Sequence, residues 1–196
     1  LSSMMIELQN MGCHNINLVT PTHYAPYILE SLDIAASNGL RIPVVWNTSG
    51  WERLEVLKLL DGIIDIYMPD FKYFDEKMAE RFSFGAKSYP EIVKKAVIEM
   101  NRQVGVAKPY DGIIYTGLII RILVMPGDVS GSQRVVEWIS ENLPKDTYIN
   151  IMSQYFPQYM AFDYPEISRR ITKKEYEAVV KRAKDLGLTN LDIQGI

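Results

Sequence analysis

Two rhythms of apolar residues alternate along this chain. Short apolar runs stop at clusters of polar residues, and between them apolar positions recur every few residues at helical spacing. Met4 to Met11 has that spacing and stops at Gly12. Asn15 to Thr20 reads as a strand ending at Pro21-Thr22-His23-Tyr24. Pro26 suits a first helical turn, and Tyr27 to Ser37 carries helical spacing to a stop at Asn38-Gly39. Ile42 to Trp46 is a second predicted strand, running into Asn47-Thr48-Ser49-Gly50, and Trp51 to Leu60 a short helix. Gly62 to Pro69 is the third strand, and it stops at an acid and a base, Asp70 and Lys72.

The alternation continues. Asp75 to Phe82 and Tyr89 to Gln103 are predicted helices, followed by a loop from Gly105 to Gly112 with a turn at Lys108-Pro109-Tyr110-Asp111. Leu118 to Met125 is the fourth strand, Ser132 to Asn142 a helix, and Thr147 to Met152 the fifth strand. After a polar and aromatic loop, Thr172-Lys173-Lys174-Glu175 has the pattern of a capping box, opening a helix to about Leu186. Asn190 to Gln194 reads as a short sixth strand. Strands separated by helices argue for parallel βαβ units in an α/β fold. They fit either an open doubly wound sheet or part of a (βα) barrel, in a single domain over residues 1–196. In both, a site forms at the C-terminal ends of the strands, where the polar clusters fall.

Composition adds mainly exclusions. Hydrophobic residues make up 47% of the 196 positions and charged residues 23%, ordinary for a soluble globular protein with one large core. The net charge of −3 gives no footprint for nucleic acid or for a basic membrane patch. No apolar run approaches the roughly 20 residues of a membrane span, and no signal peptide is recognisable. The single cysteine, Cys13, permits neither an internal disulfide nor a cysteine-rich metal site. A cytoplasmic protein without nucleic-acid or membrane partners is therefore expected. The chain begins without Met and already in a helix, so either an upstream portion preceding Leu1 or a start at an unusual codon is expected.

Five blocks then stand in order: Asn15-Ile16-Asn17-Leu18-Val19-Thr20-Pro21-Thr22-His23-Tyr24, Trp46-Asn47-Thr48-Ser49-Gly50, Asp65-Ile66-Tyr67-Met68-Pro69-Asp70-Phe71-Lys72-Tyr73, Glu99-Met100-Asn101-Arg102-Gln103-Val104-Gly105 and Gly117-Leu118-Ile119-Ile120-Arg121. Together they resemble the radical S-adenosylmethionine proteins of the pyruvate formate-lyase activating enzyme-like group, over nearly the whole chain. The resemblance implies a partial (βα) TIM-like barrel of parallel strands, here N-terminally incomplete, with the first strand and the cluster loop missing. In that family a [4Fe-4S] cluster on a C-x3-C-x2-C loop binds S-adenosylmethionine. Its reductive cleavage gives a 5′-deoxyadenosyl radical, which abstracts hydrogen from the substrate, a backbone glycine in true activases. The cofactors supply this chemistry and the protein supplies positioning. This chain has no C-x3-C-x2-C, and Cys13 lies where it cannot replace that loop. The cluster is thus expected only in the full-length protein, and this chain is expected to carry no catalytic residue and no metal ligand. Two further departures are Thr20-Pro21-Thr22 in place of Gly-Gly-Glu, and Ile122 where close relatives are expected to have histidine.

The resemblance also implies contacts with S-adenosylmethionine. Asp70 and Lys72 match the family's Asp-x-Lys, which implies contacts with the ribose or the carboxylate. Lys supplies donors and charge, and Asp accepts from hydroxyls; the plain alternative is a solvated ion pair. Asn47, Thr48 and Ser49 match a ribose-facing position, while Ser49 or Thr48 also suits a helix N-cap before Trp51. Thr20 and Thr22 replace the glycine-rich motif and are expected near the amino group, whereas His23 reads as a turn histidine. His14 beside Cys13 reads as a strand entrance, since two adjacent ligands rarely hold a metal. Arg121, a charge inside an apolar strand, needs a partner and is expected to face inward, towards a carboxylate or Asp70. Met152, Gln154 and Tyr155 suit adenine packing and its edge, or else are core and surface residues. The aromatic run from Tyr155 to Tyr164 suits a cover for the barrel, ordinary packing, or contact with a polypeptide partner such as a glycyl-radical enzyme. Two other classes remain open: a Schiff-base lyase or aldolase using Lys72, and a non-catalytic barrel that binds a nucleotide-like ligand or a protein. The sheet edge left by the missing strand is expected to favour self-association.

Overall fold

In the computed structural model, which describes residues 1–195, helices and strands alternate as the apolar pattern predicts. The first half comprises α1 (Ser2–Asn10), β1 (Ile16–Val19), α2 (Ala25–Ser37), β2 (Val44–Thr48), α3 (Leu54–Leu59) and β3 (Ile66–Pro69). The second comprises α4 (Glu76–Phe82), α5 (Tyr89–Val104), β4 (Gly117–Leu123), α6 (Ser132–Asn142), β5 (Tyr148–Met152), α7 (Lys173–Asp185) and β6 (Leu191–Ile193). All strand pairs are parallel, and the order across the sheet is β1-β2-β3-β4-β5-β6. Spatial order equals chain order. A doubly wound sheet reverses at a switch point, and this one does not. The arrangement is consistent with part of a (βα) barrel. Among the described residues, β1 and β6 each pair on one side only.

The two faces of the sheet differ because strand side chains alternate. The register places Leu18, Trp46, Tyr67 and Leu118 side by side. Ile120 and Ile122, paired with Ile149 and Ile151, continue that face. All are buried, in one continuous core with Ile28 and Leu32 of α2, Val93 and Val97 of α5, and Ile139 of α6. Around the outside α1 packs on α2, α3 on α5, and α6 on α7. The opposite face carries Val19, Asn47 and Met68 in one row and Arg121, Asn150 and Asp192 in another. It is less buried and more polar, and the site lies at its C-terminal end.

Local chemistry explains most element ends. Thr172 and Glu175 form the full capping box that starts α7, and the Asp75 side chain accepts from the Lys77 and Met78 amides to start α4. Several expected bounds shift: β3 begins at Ile66 rather than Gly62, and β4 ends at Leu123 rather than Met125. The turn after α5 is a two-residue hairpin at Asp111-Gly112, two positions beyond the expected centre. Tyr110 and Ile113 exchange backbone bonds there, and φ is 50° and 77° at the two central residues. Asp-Gly tolerates that pair of positive φ values, whereas Pro109 lacks a donor and is held at negative φ. The third helix begins at Leu54 rather than Trp51, for a reason given below. No helix among the described residues is long and apolar enough to cross a membrane.

Candidate functional site at the C-terminal strand ends

Asp70 follows the last residue of β3 and is stitched between its neighbours. Its amide donates to the Thr48 carbonyl at 2.9 Å, and the next amide, of Phe71, donates to the Arg121 carbonyl at 2.8 Å. Arg121 sits midway along β4 on the less buried face. Its Nη2 lies 2.7 Å from Asp70 Oδ1 and donates to Asn47 Oδ1 at 2.9 Å. Lys72 Nζ lies 3.5 Å from Asp70 Oδ2. Three adjacent strands thus bring together two cations and one anion, a net charge of +1. The pairing is incomplete. The Arg121–Asp70 approach lies off the hydrogen-bonding direction, and both Asp70 Oδ1 and Arg121 Nε are buried without a hydrogen-bond partner.

Asp70, Lys72 and Arg121 share a cavity of ≈ 330 Å³ with Met152, Gln154 and Tyr155. That size suits a small organic ligand. Leu123, Met125 and Tyr73 supply apolar wall, and Gln154 Nε2 lies 3.6 Å from Met152 Sδ. Asn47 joins through its bond to Arg121. The inward expectation for Arg121 thus matches its pairing with Asp70.

Thr20, Thr22 and Ser49 lie elsewhere, on a separate depression of ≈ 280 Å³ with His23, Trp51 and Glu52. Thr20 has φ 54°, left-handed and uncommon for a β-branched residue. On the same depression is Glu52, which is 1% exposed and not singled out by sequence. Its Oε1 accepts from Thr22 Oγ1 at 2.6 Å, Thr48 Oγ1 at 2.6 Å and Trp46 Nε1 at 3.0 Å. Oε2 is buried without a partner. This network corrects the capping reading of Thr48 and Ser49. Neither caps α3, whose N-cap is Arg53 without a side-chain bond. The chain from Thr48 to Glu52 is instead held in a turn by the buried carboxylate, which delays the helix.

Tyr89, the first residue of α5, was also illegible in the sequence. It is 3% exposed, and its hydroxyl lies among backbone groups of both strand ends. Burial pushes its hydroxyl, and that of Tyr73 beside it, above the usual tyrosine range.

Cys13 is a free, half-buried thiol and His14 is exposed. Among the described residues no group of three His, Cys, Asp or Glu side chains stands ready to hold a metal ion. The aromatic run is tied down by Tyr155, whose hydroxyl donates to the Ile167 carbonyl at 2.7 Å, but Tyr159 and Phe162 stay exposed. A larger depression of ≈ 560 Å³ lies between α7 and β6. Its Lys173 and Lys181 are already paired with Glu177 and Asp185, so they contribute little free charge.

No protein-family model matches the chain. Over 177 residues it is 33% identical to an uncharacterized protein of Methanocaldococcus jannaschii, a match covering 89% of this chain and 47% of that protein. The chain thus spans about half the length of this curated relative. Among solved structures, a domain of pyruvate-formate lyase-activating enzyme from Bacteroides vulgatus is similar with a TM-score of 0.61 and 14% identity, over 92% of this chain and 98% of that one. At that identity the likeness is one of fold. The chain therefore shares its α/β architecture of parallel strands and flanking helices with a domain of an activating-type enzyme.

Proposed function

We propose that this chain forms the S-adenosylmethionine-holding part of a radical S-adenosylmethionine protein of the activating-enzyme type, and that alone it binds the cofactor without cleaving it. The observation that carries this reading is the convergence of Asp70, Lys72, Arg121, Met152 and Gln154 on one cavity. Lys72 and Arg121 suit the ligand's carboxylate. Asp70, with Asn47 reaching it through Arg121, suits ribose hydroxyls, and Met152 with Gln154 suits adenine. Arg121 Nε and Asp70 Oδ1, which lack hydrogen-bond partners, make this a polar group left incomplete by the protein itself. Thr20 and Thr22, expected near the amino group, line a separate depression with Glu52 and have no part in this pocket.

Bound S-adenosylmethionine supplies a 5′-deoxyadenosyl radical only beside a reduced [4Fe-4S] cluster. The residues here do not fit such a cluster: there is one cysteine, and the described residues hold no metal-ligand group. The proposal therefore assigns the cluster to a full-length protein and no catalytic step to this chain. A glycyl-radical enzyme or other polypeptide is the partner proposed for that protein. The exposed aromatics Phe84 and Phe156 support this, because each follows a residue that lines the cavity, Ser83 or Tyr155.

Calorimetric titration with S-adenosylhomocysteine tests the binding reading. Saturable binding is expected, weakened at least about tenfold, or about 1.4 kcal/mol, by Lys72→Ala. No heat at millimolar ligand would sink it. The lyase alternative rests on Lys72 standing beside an acid at the cavity. A Schiff-base lysine is activated by desolvation or a neighbouring cation, whereas the Lys72 side chain is 47% exposed and its close partner is Asp70. Borohydride trapping with carbonyl substrates is expected to leave Lys72 unmodified.

A further inference from the structure

We infer that Tyr89 is a positioning residue of this site, clamping the ends of β2 and β3 so that Asp70 and Lys72 are presented together to the ligand. The inference rests on the cofactor-binding reading above. Tyr89 Oη lies 2.8 Å from the Ser49 carbonyl oxygen, 2.8 Å from that of Asp70, and accepts from the Lys72 amide at 2.9 Å. These three groups lie beyond Thr48 and Pro69, the last residues of their strands. One hydroxyl therefore takes over where the β2–β3 ladder stops. Its single proton is shared between two carbonyls, and a lone pair receives the amide. Because the ring is buried, the hydroxyl stays neutral, and so a donor, across the working pH range.

The surroundings allow little play. Trp51 and Tyr73 meet the Tyr89 ring edge-on, with centroids 6.2 and 6.1 Å away. Gly50 brings its loop so close that an added Cβ would stand 2.5 Å from the Asp70 carbonyl oxygen and 2.7 Å from Val93. A phenylalanine at position 89 would fill the same space. What it lacks is the one group that the Ser49, Asp70 and Lys72 backbones share.

Two measurements on the full chain test this. In the first, amide hydrogen exchange is compared between wild type and Tyr89→Phe without ligand. The Lys72 amide is expected to exchange at least about tenfold faster in the variant, while the Ile120 and Ile151 amides are unchanged. Unaltered protection at Lys72, or equal acceleration at all three, overturns the clamp. In the second, S-adenosylhomocysteine is titrated into wild type, Tyr89→Phe, Lys72→Ala and the double variant. Tyr89→Phe is expected to weaken binding about tenfold alone and clearly less when Lys72 is already alanine, where only Asp70 is left to be presented. Equal losses in both backgrounds, or no loss, overturn the positioning role. A wild-type chain that binds no S-adenosylhomocysteine defeats the cofactor reading instead, and the exchange experiment then decides the clamp by itself.

Discussion

Arg121 is a charge in the middle of a strand whose alternate residues are fully buried, and its side chain is 26% exposed. It is tolerable there because Asp70 and Asn47 meet it. Removing one partner of a desolvated pair costs more than removing both. Asp70→Leu is therefore expected to destabilise the fold by roughly 1–3 kcal/mol, and Asp70→Leu with Arg121→Met to recover most of that loss. Urea unfolding of the three proteins measures it, and a double variant as weak as the single would exclude the pair as the cause. Glu99 makes a prediction in pH. Hydrogen bonds from Arg102 and then Gln103 hold its carboxyl down at about 2. An unfolded Glu titrates near ~4.3. The folded value is the lower one, so this stabilisation is complete above the unfolded value and is lost as pH falls towards the folded one. Glu99→Gln is expected to lower the urea midpoint at pH 7, with the gap to wild type narrowing by about pH 3. A gap that is constant with pH would remove Glu99 from acid unfolding.

The secondary elements were largely legible because their signals are local. The capping box at Thr172 and Glu175, the prolines in the first turns of α2 and α5, and the apolar runs of β4 and β5 each state their structure within a few residues. The failure at α3 has the opposite origin. Trp51 and Glu52 carry helix-compatible residues, but Glu52 is drawn under Thr22 and Thr48, which come from two different strand ends. The Thr22 contact closes over 30 residues, which no local window contains. The same kind of distant constraint acts at Gly117, the first residue of β4. Its φ is 124°, and a Cβ there would stand 2.3 Å from Ala107 Cα, a backbone atom with nowhere to go. Gly117→Ala is expected to cost roughly 2–4 kcal/mol, seen as a lower thermal midpoint. An unchanged midpoint would mean that the 105–112 loop yields freely.

Across the whole sheet the consequence lies at its edges. β1 and β6 each have one neighbour among the described residues, and β1 presents Val19 at 67% exposure. An unpaired strand edge with an exposed apolar residue templates association. Light scattering is expected to show concentration-dependent self-association, reduced by Val19→Lys; a monodisperse monomer at high concentration would argue against it. Much of this molecule was determined by sequence alone. Hydrophobic period set the alternation of strand and helix, and turn chemistry set most ends. The polar clusters that halt each apolar run marked where chemistry collects. Tertiary structure decided the rest. Strand order is a long-range choice, and only the unreversed order set this sheet apart from a doubly wound one. Register then placed Arg121 against Asp70 across two strands, and it put Thr20, Thr22 and Ser49 on a different depression from Lys72. Glu52 and Tyr89 owe their roles to groups 17 to 40 residues away, as well as to their near neighbours. Hydrogen bonds that close over such distances depend on packing, and packing is not written in any local pattern.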